Sequence, residues 1–125
     1  MNISKFTQKS VQAVQDLEKI AYEYGNQEIE EEHLLYALLT QEDSLILKLI
    51  EKMEIQKEYF IDTVKRALDA RVKVSGGELR FGQYLNKALV SAEDEAKAMG
   101  DEYVSVEHLF LSMLKNPSPS MKKLF

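Results

Sequence analysis

A glutamate stands directly before a histidine twice in this 125-residue chain, as Glu32-His33 and as Glu107-His108. An imidazole titrates near neutral pH, and a carboxylate beside it can orient it, share its proton or join it on a cation. Acid-base or metal chemistry would be built from these residues, but the rest of the inventory argues against it. The chain has no cysteine, which excludes thiolate nucleophiles, thiolate metal sites and disulfides, and fits a reducing compartment. Two imidazoles without further ligands at fitting spacing do not complete a zinc site. No nucleophile, metal set or oxyanion loop can be named, so a small hydrolase using His33 or His108 with a neighbouring glutamate is the disfavoured reading.

The spacing of the two pairs says more than their chemistry. Glu32-His33 lies in IEEEHLLYALL, residues 29–39, and Glu107-His108 in VSVEHLFLSML, residues 104–114, 75 positions later. With that offset and no gap, Phe6 meets Phe81, Gln8 meets Gln83, Ala13 meets Ala88, Glu18 meets Glu93, Ala21 meets Ala96 and Gly25 meets Gly100. A register that holds from residue 6 to residue 39 reads as a tandem duplication. Histidines reproduced beside a leucine stripe in both copies read as packing features.

The elements that position these pairs follow from periodicity. Ser4 or Thr7 can cap a first helix with Val11, Val14, Leu17, Ala21 and Tyr24 on one face, ending at Gly25. The acidic turn Glu30 to Glu32 opens a second helix with Leu34, Leu35, Leu38 and Leu39 inward. Its glutamates read as a solvated start that favours the positive end of the helix dipole. A third helix begins at Asp43 or Ser44 and buries Ile46, Leu49, Ile50 and Met53. A fourth, from about Gln56 to Ala70, buries Phe60, Val64, Ala67 and Leu68. Residues 71–80, RVKVSGGELR, break the period, and Gly76-Gly77 mark a freely bending connector. The second copy opens with a helix from about Phe81 to Met99, carrying Leu85, Ala88, Leu89, Ala92, Ala96 and Met99 inward. A helix over Ser105 to Lys115 follows. Pro117 and Pro119 block its continuation, and Met121, Leu124 and Phe125 fall on the register of Ile46, Leu49 and Ile50. The expected fold is all-α: one domain over residues 1–125, with repeat one at 1–70, a linker at 71–80, and repeat two at 81–125 incomplete relative to the first. It is a tandem four-helix repeat with pseudo-twofold symmetry and no strand longer than Val72 to Val74.

Composition places the chain among globular domains, at 45% hydrophobic and 30% charged residues. No run approaches the roughly 18 apolar residues that span a bilayer, so membrane insertion is not expected. The net charge is -5, and Glu23, Glu28, Glu30, Glu31 and Glu32 have no lysine or arginine between them, which opposes binding to a phosphate backbone. Nucleic acid is not an expected partner, and the cytoplasm is the expected compartment.

The motif G-[ND]-x-x-[IV]-x-x-E-H-L, present at residues 25–34 and 100–109, together with FTQKSVQAV and KVSGG, resembles the N-terminal domain of the Clp ATPases. MNISKFTQ, KVSGGE and GDEYVSVEHL are most similar to the ClpB disaggregase branch. The resemblance implies a non-catalytic, monomeric domain tethered above a hexameric ring, where it touches unfolded or aggregated protein before the ring threads it. ATP and magnesium belong to the ATPase modules of such a parent, and no cofactor to this domain. Adaptor proteins or an Hsp70-type chaperone system are further partners that the parent's family implies. Functional polar residues carry over to Thr7, Asp101 and Glu107. Asn26 stands opposite Asp101, so a site built on Asp101 should exist once. ClpC and ClpA relatives serve a protease; in the ClpC relatives glutamates at the places of Glu32 and Glu107 imply recognition of phosphoarginine, and adaptor docking or phosphoarginine reading as in a ClpC or ClpA-type ATPase is the alternative function. The residues themselves also allow a structural role: Thr7 as a helix cap worth about 1 kcal/mol, Asp101 and Glu107 as charges at a helix start. Tyr36, its mate Leu111, Val90 and Tyr84 lie off the core stripes and are candidates for a shallow apolar groove.

Overall fold

The computed structural model describes residues 3–125. A 3-10 turn at Ile3–Lys5 leads into α1 (Gln8–Tyr24), strand β1 (Glu28–Ile29), α2 (Glu31–Leu39), α3 (Leu45–Lys52) and α4 (Lys57–Asp69). Strand β2 (Arg80–Phe81), α5 (Gln83–Ala98), α6 (Val106–Lys115) and α7 (Pro119–Lys122) complete the chain. Four helices start where a side chain takes the orphaned N–H of the third helical residue. Thr7 Oγ1 accepts from Ser10 at 3.2 Å, Ser44 Oγ from Leu47 at 3.1 Å, Gln56 Oε1 from Tyr59 at 2.7 Å and Ser118 Oγ from Met121 at 3.2 Å. α1 stops at Gly25, whose φ of +70° lets the Asn26 N–H fold back onto the Ala21 carbonyl at 2.9 Å. Gly100, at +73°, does the same for Asp101 and Ala96 at 2.8 Å.

α2 is the centre of the molecule and touches α1, α3, α4, α5 and α6. Leu34, Leu35, Leu38 and Leu39 are all at most 1% exposed. A helix apolar on nearly all sides is one that is covered on nearly all sides, and each of these leucines contributes about 2 kcal/mol by leaving water. Two methionines depart from the periodic reading. Met53 is 51% exposed and Met99 60% exposed, because each stands at the C-cap of its helix, where the backbone has already turned off the axis that would carry the side chain inward.

The repeats are joined by two short parallel pairings that the duplication relates to each other. β1 pairs with β2, placing Ile29 opposite Phe81, and 75 positions away on each partner an isolated bridge places Val104 opposite Phe6. Gly82 N–H donates to the Ile29 carbonyl at 2.8 Å, and Thr7 N–H to that of Val104 at 3.0 Å. Each repeat's entry into its first helix is thus hydrogen-bonded to the other repeat's entry into its second, which gives the pseudo-twofold arrangement. The strands are Glu28–Ile29 and Arg80–Phe81, not Val72 to Val74, and α5 starts at Gln83 because Phe81 is held in the pairing.

The connector is held along repeat one instead of bending freely. Arg71 pairs with Glu28 and Glu32, the Asn26 amide donates to the Val72 carbonyl at 3.2 Å, Lys73 Nζ to that of Tyr24 at 2.6 Å, and Val74 N–H to that of Gly25 at 2.9 Å. Only around Gly76 and Gly77, at φ of +78° and +86°, does the chain turn in a way that requires glycine.

Candidate functional site

Both histidines lock the start of a helix. The Glu30 N–H donates to His33 Nδ1 at 2.9 Å, and the Ser105 N–H to His108 Nδ1 at the same distance. With Nδ1 accepting, Nε2 carries the proton and donates it to the first side chain after the glycine turn: Asn26 Oδ1 at 3.0 Å in repeat one, Asp101 Oδ2 at 2.8 Å in repeat two. Each histidine therefore fastens the end of one helix to the beginning of the next. Burial and the nearby Arg71 charge push the His33 pKa down to about 4. This ring is a neutral structural group, as the duplication indicated.

Ser105, His108 and Asp101 form a chain that looks like a nucleophile triad, since Ser105 Oγ lies 3.0 Å from His108 Nδ1. The geometry denies it that work. The Nδ1 lone pair that would take the hydroxyl proton already accepts the Ser105 backbone N–H, so the histidine has no free base to offer.

The three glutamates that open α2 are buried, contrary to the solvated start read from the sequence: Glu30 is 4% exposed, Glu31 0% and Glu32 1%. Each is held by a different part of the molecule. Glu30 Oε1 accepts the Leu85 N–H at 3.2 Å and so caps α5, whose own N-cap, Gly82, has no side chain. A Cβ at Gly82 would come within 1.8 Å of that oxygen. Glu31 Oε1 accepts the Ser118 N–H at 2.7 Å. Glu32 Oε2 takes Arg71 Nη1 at 2.8 Å and the Ser120 hydroxyl at 3.0 Å. Burial raises the Glu30 pKa against the lowering effect of the Leu85 N–H. It pushes Glu31 to about 7, with Ser118 pulling the other way and Glu30 and Glu32 adding to the rise. One trace of this arrangement is visible in the copy register: glycine stands at 82 where repeat one has the capping Thr7.

The residues singled out for binding fall in several places. Thr7 caps α1 and bonds Val104, so it stands at the loop that carries Asp101 into α6. Asp101 is half-exposed on His108, and it lines a small cleft of about 130 Å³ with Lys5, Lys97 and Glu102. Glu107 is exposed in the first turn of α6, whereas its mate Glu32 lies under Arg71. Val90 is 60% exposed on α5. Tyr84 and Leu111 are half-buried. Tyr36 is half-covered, with its ring edge-on to Tyr24 at 6.0 Å. A cleft of about 670 Å³ involves Glu32 alone of these, and is lined also by Arg71, Arg80, Lys123, Val72 and Leu124. Among the described residues no group of three or more His, Cys, Asp or Glu could hold a metal ion, and no helix is long and apolar enough to cross a membrane.

The profile of the Clp repeat (R) N-terminal domain matches residues 5–125. A chaperone protein ClpB from Nitratidesulfovibrio vulgaris is 40% identical over 126 residues, covering 97% of this chain and 15% of that protein. The chain thus spans a small part of the length of the curated relatives it matches. Among solved structures, the Hsp104 N-terminal domain from Candida albicans has a TM-score of 0.85 at 22% identity, covering 98% of this chain and 80% of that one. A ClpV N-domain in complex with a VipB peptide has a TM-score of 0.77 at 20% identity, covering 98% and 78%. The doubled Gly-to-Glu-His-Leu motif, the helical fold and these matches agree: the chain belongs to the Clp repeat N-terminal domain family.

Proposed function

We propose that this chain is the substrate-engaging N-terminal domain of a ClpB-type disaggregase. It holds exposed apolar segments of unfolded or aggregated polypeptide weakly and passes them to an ATPase ring. The observation that carries this reading is the 40% identity to a ClpB chaperone across 97% of the chain. In this reading Val90, Leu111 and Tyr84 supply the apolar contacts on repeat two, with Thr7, Asp101 and Glu107 as the polar ones, while Tyr36 adds an edge on repeat one. A contact of a few hundred Å² gives on the order of 10 kcal/mol gross, against association costs of similar size, so binding by one domain is weak. Six domains tethered to a ring would recover affinity by avidity and still release each segment. The parent is then a cytoplasmic hexamer that takes ATP and magnesium in its ATPase modules and cooperates with an Hsp70-type system. The test is a titration of isotopically labelled domain with a permanently unfolded protein: shifts at Val90 and Leu111 are expected at up to millimolar concentrations, and their absence overturns the reading.

A second reading, adaptor docking or phosphoarginine recognition as in a ClpC or ClpA-type ATPase, is favoured by one observation. Glu32 already holds a guanidinium, that of Arg71, at 2.8 Å, and Glu107 presents the same motif position to solvent. Saturable binding of free phosphoarginine that is lost in Glu107→Gln supports this reading; no binding dismisses it.

A further inference from the structure

Glu32 is the one buried acid that also forms part of the wall of the large cleft. It is 1% exposed, and the cleft it lines holds about 670 Å³. Its Oε2 accepts Arg71 Nη1 at 2.8 Å and the Ser120 hydroxyl at 3.0 Å, but its Oε1 is buried with no hydrogen-bond partner. A carboxylate removed from water needs its lone pairs filled, so half of this one is still open to a donor. Among the described residues Arg71 is the only cation within ion-pair distance of it. That arginine lies 39 positions away on the connector and reaches in with a side chain 21% exposed. One guanidinium spans two acids, since its Nη2 stands 3.3 Å from Glu28 Oε1. Two nitrogens of one plane placed on two carboxylates is a geometry that an ammonium point charge does not reproduce.

The cleft suits a guanidinium arriving from outside as well as the one on the connector. Ala67, Ala70, Val72 and Leu124 give its walls an apolar stretch that fits the methylenes of an arginine stem. Arg80 approaches the other oxygen of Glu28 at 3.5 Å with a side chain 63% exposed, and Lys123 is exposed, so neither fills the open oxygen of Glu32. In repeat two the same motif position, Glu107, is open to solvent. We propose that Glu32 and Glu28 form a guanidinium receptor that the connector fills in cis: Arg71 is its resident ligand and closes repeat one to the arginine side chains of a partner, which bind only by displacing it. Exchange leaves Glu32 paired in both states, and the residue next to Arg71, Val72, is already 80% exposed. The inference deepens the second reading above and rests on it only for the partner; failure of that reading shows at Glu107, failure of this one at Glu32.

The experiment titrates ethylguanidinium, with ethylammonium at equal ionic strength as the comparison, into the 125-residue chain, its Arg71→Ala variant and the double variant Arg71→Ala with Glu32→Gln. NMR follows the carboxyl carbons of Glu28 and of residue 32 where it is glutamate, together with the Ser120 amide. In Arg71→Ala, ethylguanidinium is expected to give saturable shifts at these groups in the millimolar range and to raise the melting temperature. Ethylammonium is expected to bind that variant at least about tenfold more weakly, as is ethylguanidinium the native chain, where Arg71 competes. The double variant should show no saturable shift. Absence of saturation in a folded Arg71→Ala chain overturns the proposal, as does an equal response to the two cations. A native chain that binds ethylguanidinium as tightly as Arg71→Ala overturns it too, because Arg71 would then not be the resident ligand. If Arg71→Ala does not fold alone, folding becomes the readout: millimolar ethylguanidinium, and not ethylammonium, is expected to restore a dispersed spectrum, and failure to do so overturns the proposal.

Discussion

At Gly82 the missing side chain is replaced by a carboxylate from the other repeat, and the copy supplies the contrast. Thr7 caps its own helix; Gly82 cannot, and Glu30 reaches across to do it. Gly82→Ala is therefore expected to cost about 2 kcal/mol or more, because the new methyl displaces a buried carboxylate and leaves it unpaired. The double variant Glu30→Ser with Gly82→Thr, which copies the arrangement of Ser105 and Thr7, should lose less than the single changes summed, as read from urea midpoints. The same few residues set the pH profile. His33, held down to about 4 against an ordinary 6.5, stays neutral while the unfolded chain takes up a proton, so it removes stability as pH falls from 6.5 to 4. Glu31, raised from 4.5 to about 7, keeps a proton that the unfolded chain has released, so it removes stability as pH rises from 4.5 to 7, and Glu30 acts in the same sense. Between 4.5 and 6.5 the opposed slopes largely cancel. Glu31→Gln should unmask the His33 slope, with stability rising up to about pH 6.5. Urea unfolding at four pH values checks it. The sequence made the histidines legible as packing groups because they recur with their leucines. It hid the burial of Glu30 to Glu32, because their partners Arg71, Leu85 and Ser118 lie 39 to 87 positions away.

Helix starts were the most readable elements, since Thr7, Ser44 and Gln56 each carry a local capping side chain. Helix ends misled where the apolar period runs past the last helical turn, as at Met53 and Met99. The strands were not legible at all: two residues are too few to show alternation, and their register is set by pairing between the repeats. The connector's glycines are local in sequence and its anchors are not, so its sequence alone suggests a free bend. Arg71 is the main anchor, so Arg71→Met is expected to destabilise by about 3 kcal/mol, mostly by leaving Glu32 buried and unpaired. Adding Glu32→Gln should recover most of that loss. Chemical denaturation of the two variants tests whether the ion pair itself stabilises or whether breaking it is what costs.

The whole molecule is a duplication whose halves have diverged in what they expose. Repeat one covers Glu32 with Arg71 and seats Asn26 in the interior, whereas repeat two leaves Glu107 and Asp101 open to solvent. The pairings Phe6 with Val104 and Ile29 with Phe81 join the two halves through their backbones. The proposed capture of unfolded polypeptide locates its apolar contact on repeat two. The direct measurement is the affinity of a permanently unfolded protein for the native domain, for Val90→Asp and for Tyr22→Asp, the last a control on the equally open surface of α1, where Tyr22 is 79% exposed. We expect Val90→Asp to weaken binding about tenfold, since a charge replaces an apolar contact worth roughly 1–2 kcal/mol, and Tyr22→Asp to leave it unchanged. Equal affinity for all three proteins, with all three folded, would contradict the account.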